Sequence, residues 1–383
     1  MSGVKLFFAG DFCAKPSTSI IQVSDELRDL VQSCDLKVVN FEVPLKPNVS
    51  LPPQHDERFF QHDDTPVFLK NIGFNLFPIA TNHTFDWGEE GFLKTRDALG
   101  DGAFGAGDYN EAYRVKVCEV GGLKVGFMAL CYAAYTGVFE DVSKHEGLGC
   151  AYINDLVVNH IIMKAKQEVD YLFILPHDGI EYIDIPLPDT IARYRDFVDY
   201  GADGVFGSHP HCPQGWEEYK GKPIFYSLGN FFFNSMEDPS YRAWNRPHWY
   251  EGMCVVMEIS EGGCHYRVVN TRNEGNVRIG LDRSEGRDEH NQMLCKYLKD
   301  DQCYNDYLVR LYEELAMGRM MPQIDRTIHP ETLLYCTKKI MRAWIKRLRK
   351  QDFVDDYVLM TFLRNSTRNK LLLRALDYRA NGK

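Results

Sequence analysis

Residues 1–283 predict a mixed α/β core with more than one β-sheet, and residues 284–383 a mainly helical, basic extension. Three observations carry this reading. Short apolar runs alternate with stretches of helical spacing through the first 210 residues, the pattern of helices packed on sheets. Closely spaced β-rich runs follow, which is how hairpins read. From about Asn291 onward the spacing is mainly helical.

Val4–Ala9 and Leu36–Phe41 read as strands, with a helix over Ser24–Ser33 capped by Ser24. Thr65–Asn71 reads as a helix, Asn75–Ala80 as a strand, and Glu89–Leu99 as a helix ended by Gly100. Arg114–Val120 and Lys124–Leu130 flank Gly121-Gly122 and predict a hairpin. Asn154–Val169 is a predicted helix, Tyr171–Leu175 a strand, Asp189–Tyr200 a helix and Gly204–Phe206 a strand. Trp216–Tyr219, Pro223–Tyr226, Met253–Ile259 and Tyr266–Asn270 read as hairpin strands. Arg272–Glu289, rich in Gly, Arg, Asp and Glu, reads as a loop and marks the boundary.

Composition excludes several classes. The chain has 383 residues, 44% hydrophobic and 13% aromatic, enough for a large core and too apolar for disorder. No apolar run reaches the roughly 18 residues of a membrane span. Asp11 interrupts the short apolar N-terminal stretch, so no secretory signal is read there and the expected location is the cytoplasm. Eleven cysteines without a CxxC pair fit reduced thiols better than a disulfide framework or a zinc knuckle. The net charge of −10 divides into −15 over residues 1–283 and +5 over 284–383.

Metal-ligand residue types stand at the ends of five predicted strands. KLFFAG ends in Asp11, LKVVNF in Glu42 with Asn40 just before it, and NLFPIAT in Asn82-His83. DYLFILP ends in His177-Asp178, and GVFGS in His209-Pro210-His211. Sites in open α/β sheets form beyond the carboxyl ends of the strands, so neighbouring strands would bring these groups into one cleft. Carboxylate, amide oxygen and imidazole together suit Mn, Fe or Zn, and seven groups exceed the needs of one ion. Two metals are the natural reading, an arrangement that activates water and clamps the oxygens of an in-line displacement.

These motifs resemble the CapA family of poly-γ-glutamate capsule synthesis proteins, which is similar to the calcineurin-like metallophosphoesterases. The matching segments are AGD at 9–11, NFEVPL at 40–45, ATNHTFDWGEEGFLKTRDAL at 80–99, FGAGDYNEA at 104–112, HDGIEY at 177–182, GADGVFGSHPH at 201–211 and GKPIFYSLGNFFF at 221–233. The resemblance covers about residues 4–235. It implies two packed β-sheets flanked by helices, with metals at one edge. It also implies that Asp11 and His211 bind a first metal, Asn82, His177 and His209 a second, and Glu42 both. His83 would be the acid facing the substrate, with Asp86 orienting its imidazole.

The chain departs from the wider pattern at Cys13, where a histidine is common, and at Asp178, where the family usually has Trp. Cys13 is either a soft ligand or a buried strand-end thiol, and Asp178 either a ligand or an orienting group for His177. Glu181 matches a family position and also reads as a surface charge. Ser227, Gly229 and Asn230 either line the cleft or close a turn. Gly105-Ala106-Gly107 reads as a tight turn before a strand, since a lone GxG is weak evidence of a phosphate loop. Lys338–Lys350 forms a basic amphipathic pattern, suited either to docking on its own domain or to weak contact with a membrane surface or polyanion.

The expected function is that of a metal-dependent hydrolase, a phosphoesterase that uses water activated between two divalent transition metals on an anionic substrate. Two rivals stand beside it. One acts on γ-glutamyl or related amide polymers, and the other is a non-catalytic, metal-binding component of capsule or polymer synthesis. No motif for sequence-specific nucleic-acid binding occurs.

Overall fold

The fold is taken from a computed structural model that describes residues 3–49, 59–132, 137–139, 146–234 and 248–316, with side chains to residue 313. The basic amphipathic segment at 338–350 lies outside the described residues. So does everything else beyond 316.

The first half contains β1 (Val4–Cys13), β2 (Gln22–Val23), α1 (Asp25–Gln32), β3 (Leu36–Phe41), α2 (Thr65–Ile72), β4 (Phe77–Pro78), α3 (Gly88–Leu99), β5 (Ala103–Phe104), β6 (Ala106–Gly107), α4 (Tyr109–Ala112), β7 (Lys116–Val120) and β8 (Leu123–Cys131). It continues with β9 (Gly149–Cys150), α5 (Leu156–Lys166), β10 (Tyr171–His177), α6 (Pro188–Asp199) and β11 (Gly204–Phe206). After it come β12 (Trp216–Tyr219), β13 (Lys222–Phe225), β14 (Asn230–Phe233), β15 (Glu251–Ser260), β16 (Gly263–Glu274), β17 (Arg278–Leu281), α7 (Arg287–Lys299) and α8 (Asp301–Ala316).

Two sheets make the body. One has the order β14-β1-β15-β16-β17-β2, with β3 paired to β1, and the other the order β12-β13-β11-β10-β8-β7. β1, β3 and β14 run parallel, as do β8, β10, β11 and β13. Strands buried on both faces need continuous apolar runs rather than alternation, and Leu172–Leu175 and Leu6–Ala9 are such runs. The sheets meet through aromatic packing. Phe8 of β1 stacks on Phe206 of β11 at 3.8 Å and meets Phe173 of β10 edge-on at 5.5 Å. Burial of such rings is the main source of sandwich stability.

Local chemistry explains the helix ends. The Ser24 hydroxyl accepts the Leu27 N–H at the start of α1. Asp155 caps α5 through the Val157 N–H, and Gly100 takes φ 68° past the end of α3.

Three sequence expectations need correction. Arg272–Glu289 is not a loop: β16 runs to Glu274, β17 follows, and α7 begins at Arg287. β17 is four residues long, and β2 supplies only two residues to its far side, so no alternating pattern marks it. Asn75–Ala80 is shorter as a strand than expected: Phe77–Pro78 pairs with β5 and Leu76 makes a single bridge to Val38 of β3, and proline lacks the N–H of a longer ladder. Gly107 leads into the one-turn helix α4 through a capping box at Asp108, rather than directly into a strand.

α8 packs Leu308 and Leu311 against Ile180, Ile183, Ile185 and Leu187, in the connection after β10. Among the described residues no helix is long and apolar enough to cross a membrane.

Candidate metal centre

Strand register places the candidate residues. β1 and β3 are parallel with Asp11 opposite Asn40, so Asp11 and Glu42 leave the first sheet side by side. Gly10 makes this possible, because a Cβ there would lie 1.9 Å from the Gly229 carbonyl oxygen. That carbonyl accepts the Asp11 N–H at 2.9 Å. On the second sheet His177 ends β10 and is bridged to Ser208 beyond β11. His209 and His211 then follow with φ of 100° and 56°. Positive φ in non-glycine residues costs on the order of 1–3 kcal/mol and persists only where the surroundings enforce it.

The groups close into two sets that share Glu42. Ligand atoms of Asp11, Glu42 and His211 lie within 4.8 Å of one another, as do those of Glu42, His177 and His209. His211 Nε2 is 3.3 Å and His177 Nε2 3.9 Å from Glu42 Oε1. His177 Nε2 is also 2.8 Å from Asn82 Oδ1 and 3.2 Å from His209 Nδ1. Three electron-pair donors thus face one point. A single imidazole proton can satisfy only one of these contacts, whereas a cation satisfies all of them.

Glu42 is the sharpest sign of a metal. Its side chain is 0% exposed, and among the described residues neither oxygen has a well-aligned hydrogen bond. Leaving a buried carboxylate so poorly satisfied costs several kcal/mol unless a positive charge compensates it. The donor set of imidazole, carboxylate and amide oxygen therefore fits borderline transition metals.

Electrostatics agree. Burial, then the charge of Glu42, pushes the Asp11 carboxyl up to about 7. Burial opposes protonation of His211, yet Glu42 and Asp11 raise it to about 10. Glu42 is lowered: burial works against this, and His211 and His177 outweigh it. Burial and the neighbouring His209 hold His177 well below the ordinary histidine range. Metal-free protein thus keeps protons on His211 and partly on Asp11 at neutral pH. Metal uptake at pH 7 should release at least one proton per chain and tighten as pH rises. Calorimetric titration in buffers of different ionisation enthalpy checks this, and proton-independent binding would contradict it.

A surrounding layer aims these groups. Asn40 Nδ2 donates to Asp11 Oδ1 at 2.7 Å, and His209 N–H donates to Asp11 Oδ2 at 3.0 Å. Ser208 Oγ lies 3.1 Å from His177 Nδ1. Asn230 Oδ1 lies 3.0 Å from His211 Nδ1 and turns Nε2 toward Glu42. Ser208 and the orienting role of Asn40 escape sequence reasoning, although both sit inside the matched motifs. Asn230, read as lining the cleft or closing a turn, positions His211.

His83 stands apart from both sets and is more open, with 14% of its side chain exposed. Its Nδ1 is 2.8 Å from Asp86 Oδ2, which also accepts the Phe59 N–H. Burial works against its charge, but Asp86 prevails and raises His83 above the ordinary histidine value.

Other candidates fall outside the two sets. Cys13 packs with Val43, Phe233 and Trp249, and burial raises its thiol well above the ordinary range. Cys13→Ala should keep full metal content and cost about 1 kcal/mol of stability, read by elemental analysis and thermal melting. Metal loss would make the thiol a ligand. Asp178 is buried and accepts the Thr190 hydroxyl at 3.4 Å. Glu181 is buried rather than a surface charge, close enough to raise both His83 and His211.

Comparison with known proteins places this geometry in context. The family model described as bacterial capsule synthesis protein PGA_cap matches residues 5–235. Over 180 residues the chain is 32% identical to the capsule biosynthesis protein CapA of Bacillus anthracis, covering 45% of this chain and 43% of that one. Over 229 residues it is 28% identical to the PGA biosynthesis protein CapA of Bacillus subtilis (strain 168), covering 57% and 58%. The chain thus spans about half the length of these relatives. Among solved structures, a novel phosphatase from Mycoplasma pneumoniae aligns at TM-score 0.42 and 15% identity, over 70% of this chain and 94% of that one. A 5'-nucleotidase from Candida albicans SC5314 aligns at 0.39 and 11%, over 69% and 50%.

Proposed function

The chain belongs to the bacterial capsule synthesis protein PGA_cap family, and from that premise we propose that it is a metal-dependent hydrolase acting on a phosphoester. The observation that carries the reading is Glu42, buried and without a well-aligned hydrogen bond among the described residues, between Asp11 and His211 on one side and Asn82, His177 and His209 on the other. Asp11 and His211 would hold one divalent ion, Asn82, His177 and His209 a second, and Glu42 both. Such ions, Mn, Fe or Zn by donor chemistry, supply Lewis acidity toward substrate oxygens.

The chain's own residues do the rest. Asp86 accepts the His83 Nδ1 proton, which leaves Nε2 to carry the proton given to the leaving oxygen. Asp86 raises the affinity of His83 for protons above the ordinary histidine value, against the effect of burial. The Asn82 amide Nδ2 is buried and unbonded among the described residues, and in this reading it would donate to an oxygen of the bound substrate. Residues 1–283 form the catalytic unit in this reading, and residues 284–383 an extension to it.

A second reading is favoured by the names of the relatives, which concern capsule and PGA biosynthesis. In it the same cleft cleaves or holds a γ-glutamyl polymer, a polyanion that metals also attract. Purified protein loaded with Mn, Fe or Zn, assayed on a generic phosphodiester and on polyglutamate, separates the two. Phosphodiester turnover supports the proposal. Polymer cleavage without phosphoester turnover supports the second reading, and tight binding without turnover an assembly role.

A further inference from the structure

A separate group of side chains of metal-ligand type lies outside this cleft. Asp184 comes from the connection after β10, His248 from just before β15, and His290 from α7. One ligand atom from each lies within 4.8 Å of the others. From Asp184 to His290 the residues are far apart in sequence, so no spacing motif announces them, and two lie beyond the segment the family model matches.

We propose that Asp184, His248 and His290 form a separate zinc-type site that clips α7 onto the connection after β10. Three features support it. His248 Nδ1 bonds Glu251 Oε2 at 2.8 Å, the carboxylate–histidine arrangement that leaves Nε2 free to bind a metal. His290 Nε2 is buried with no hydrogen-bond partner among the described residues, and burial keeps its imidazole below the ordinary proton affinity. Tyr307 of α8 donates to Asp184 Oδ1, which fixes that carboxylate and leaves Oδ2 available.

The nearby positive charge is already matched. Arg287 Nη1 is 3.3 Å from Glu251 Oε2, and its Nε is 3.8 Å from Asp282 Oδ2. The His248 and His290 rings are stacked, with centroids 4.4 Å apart, so one ring must turn about its side-chain torsions to aim its nitrogen at a shared ion. Tetrahedral zinc needs ligand atoms about 3.4 Å apart, so a closure of at most about 1.4 Å by side-chain rotation would form the site. Two imidazoles with one carboxylate suit zinc over magnesium or calcium, and water would complete the shell.

The place of the site gives it a consequence. His248 adjoins Trp249, whose ring lies 5.1 Å from His211 and 5.7 Å from Tyr182. Zinc here would tie the helical region to the loop bearing Glu181 and Tyr182.

Zinc alone is the probe, titrated into chelator-treated full-length chain and into His290→Gln, Asp184→Asn and a His209→Ala/His211→Ala double variant. The wild-type chain should bind one zinc equivalent beyond those of the cleft, and the double variant should keep it. His290→Gln and Asp184→Asn should each weaken that equivalent by roughly 100-fold and abolish its contribution to the melting temperature. Circular dichroism confirms folding, and two near-isosteric variants guard against one misfolding. Unchanged zinc stoichiometry and affinity in both would overturn the proposal, as would loss of all zinc in the double variant. Failure of the catalytic-site reading would instead show as cleft metal and turnover unchanged in the double variant, with the zinc equivalent at Asp184, His248 and His290 unaffected.

Discussion

His209→Ala and His211→Ala should each strip metal from the cleft and reduce metal-dependent turnover by roughly 10³-fold, the several kcal/mol that metal ions contribute to such reactions. His209 belongs to the set with His177 and Glu42, and His211 to the set with Asp11 and Glu42, so each removal opens a different half. Their effects on folding should differ. His211 is the main counter-charge of Glu42 in metal-free protein, and removing one member of a buried pair costs about 3 kcal/mol. His209→Ala removes no such charge and should melt closer to the parent.

The His211–Glu42 pair also sets a pH window. Glu42 is lowered from 4.5, so its contribution is present above that value and lost as acid protonates it. His211 is raised from 6.5, so its contribution is complete below 6.5 and lost as pH rises through about 10. His209→Gly offers a sharper separation of fold from function. At φ 100° glycine relieves strain, so this variant should be as stable as His209→Ala or more so, yet equally unable to hold metal. Full activity in any of these variants would remove the substituted histidine from the site.

His83→Ala should behave in the opposite way: metal content and melting temperature stay, while turnover falls by about 10²–10⁴-fold, the scale of general acid catalysis. Asp86→Asn should lose less, because it orients the ring and raises its proton affinity without carrying the transferred proton. The alkaline limb of the rate profile should then move to lower pH in Asp86→Asn, since Asp86 is the group that lifts His83. Elemental analysis and single-turnover rates on one preparation decide the matter. Metal loss in His83→Ala would make it a ligand, and an unchanged rate would exclude it from the mechanism.

Much of the site was legible because strand ends advertise themselves. Each of Asp11, Glu42, Asn82, His177 and His209 directly follows an apolar run or lies within three residues of one. Parallel strands with similar burial can only point such ends the same way. What stayed hidden depends on contacts between distant segments. The Asn40–Asp11 bond needs the β1–β3 register, and the Asn230–His211 contact needs β14 beside β1. Cys13 illustrates the reverse, a ligand type in a ligand-like position that the fold turns into an apolar cluster. The Asp184–His248–His290 group is invisible in sequence because three unrelated elements supply it. β17 was missed for a related reason: four residues with Gly280 among them carry too short a pattern.

Anomalous diffraction from crystals of the full chain soaked in manganese tests the central claim most directly. Two peaks should appear, one among Asp11, Glu42 and His211, and one among Glu42, Asn82, His177 and His209. Glu42 should contact both. The absence of any peak beside Glu42 at millimolar manganese would contradict the account.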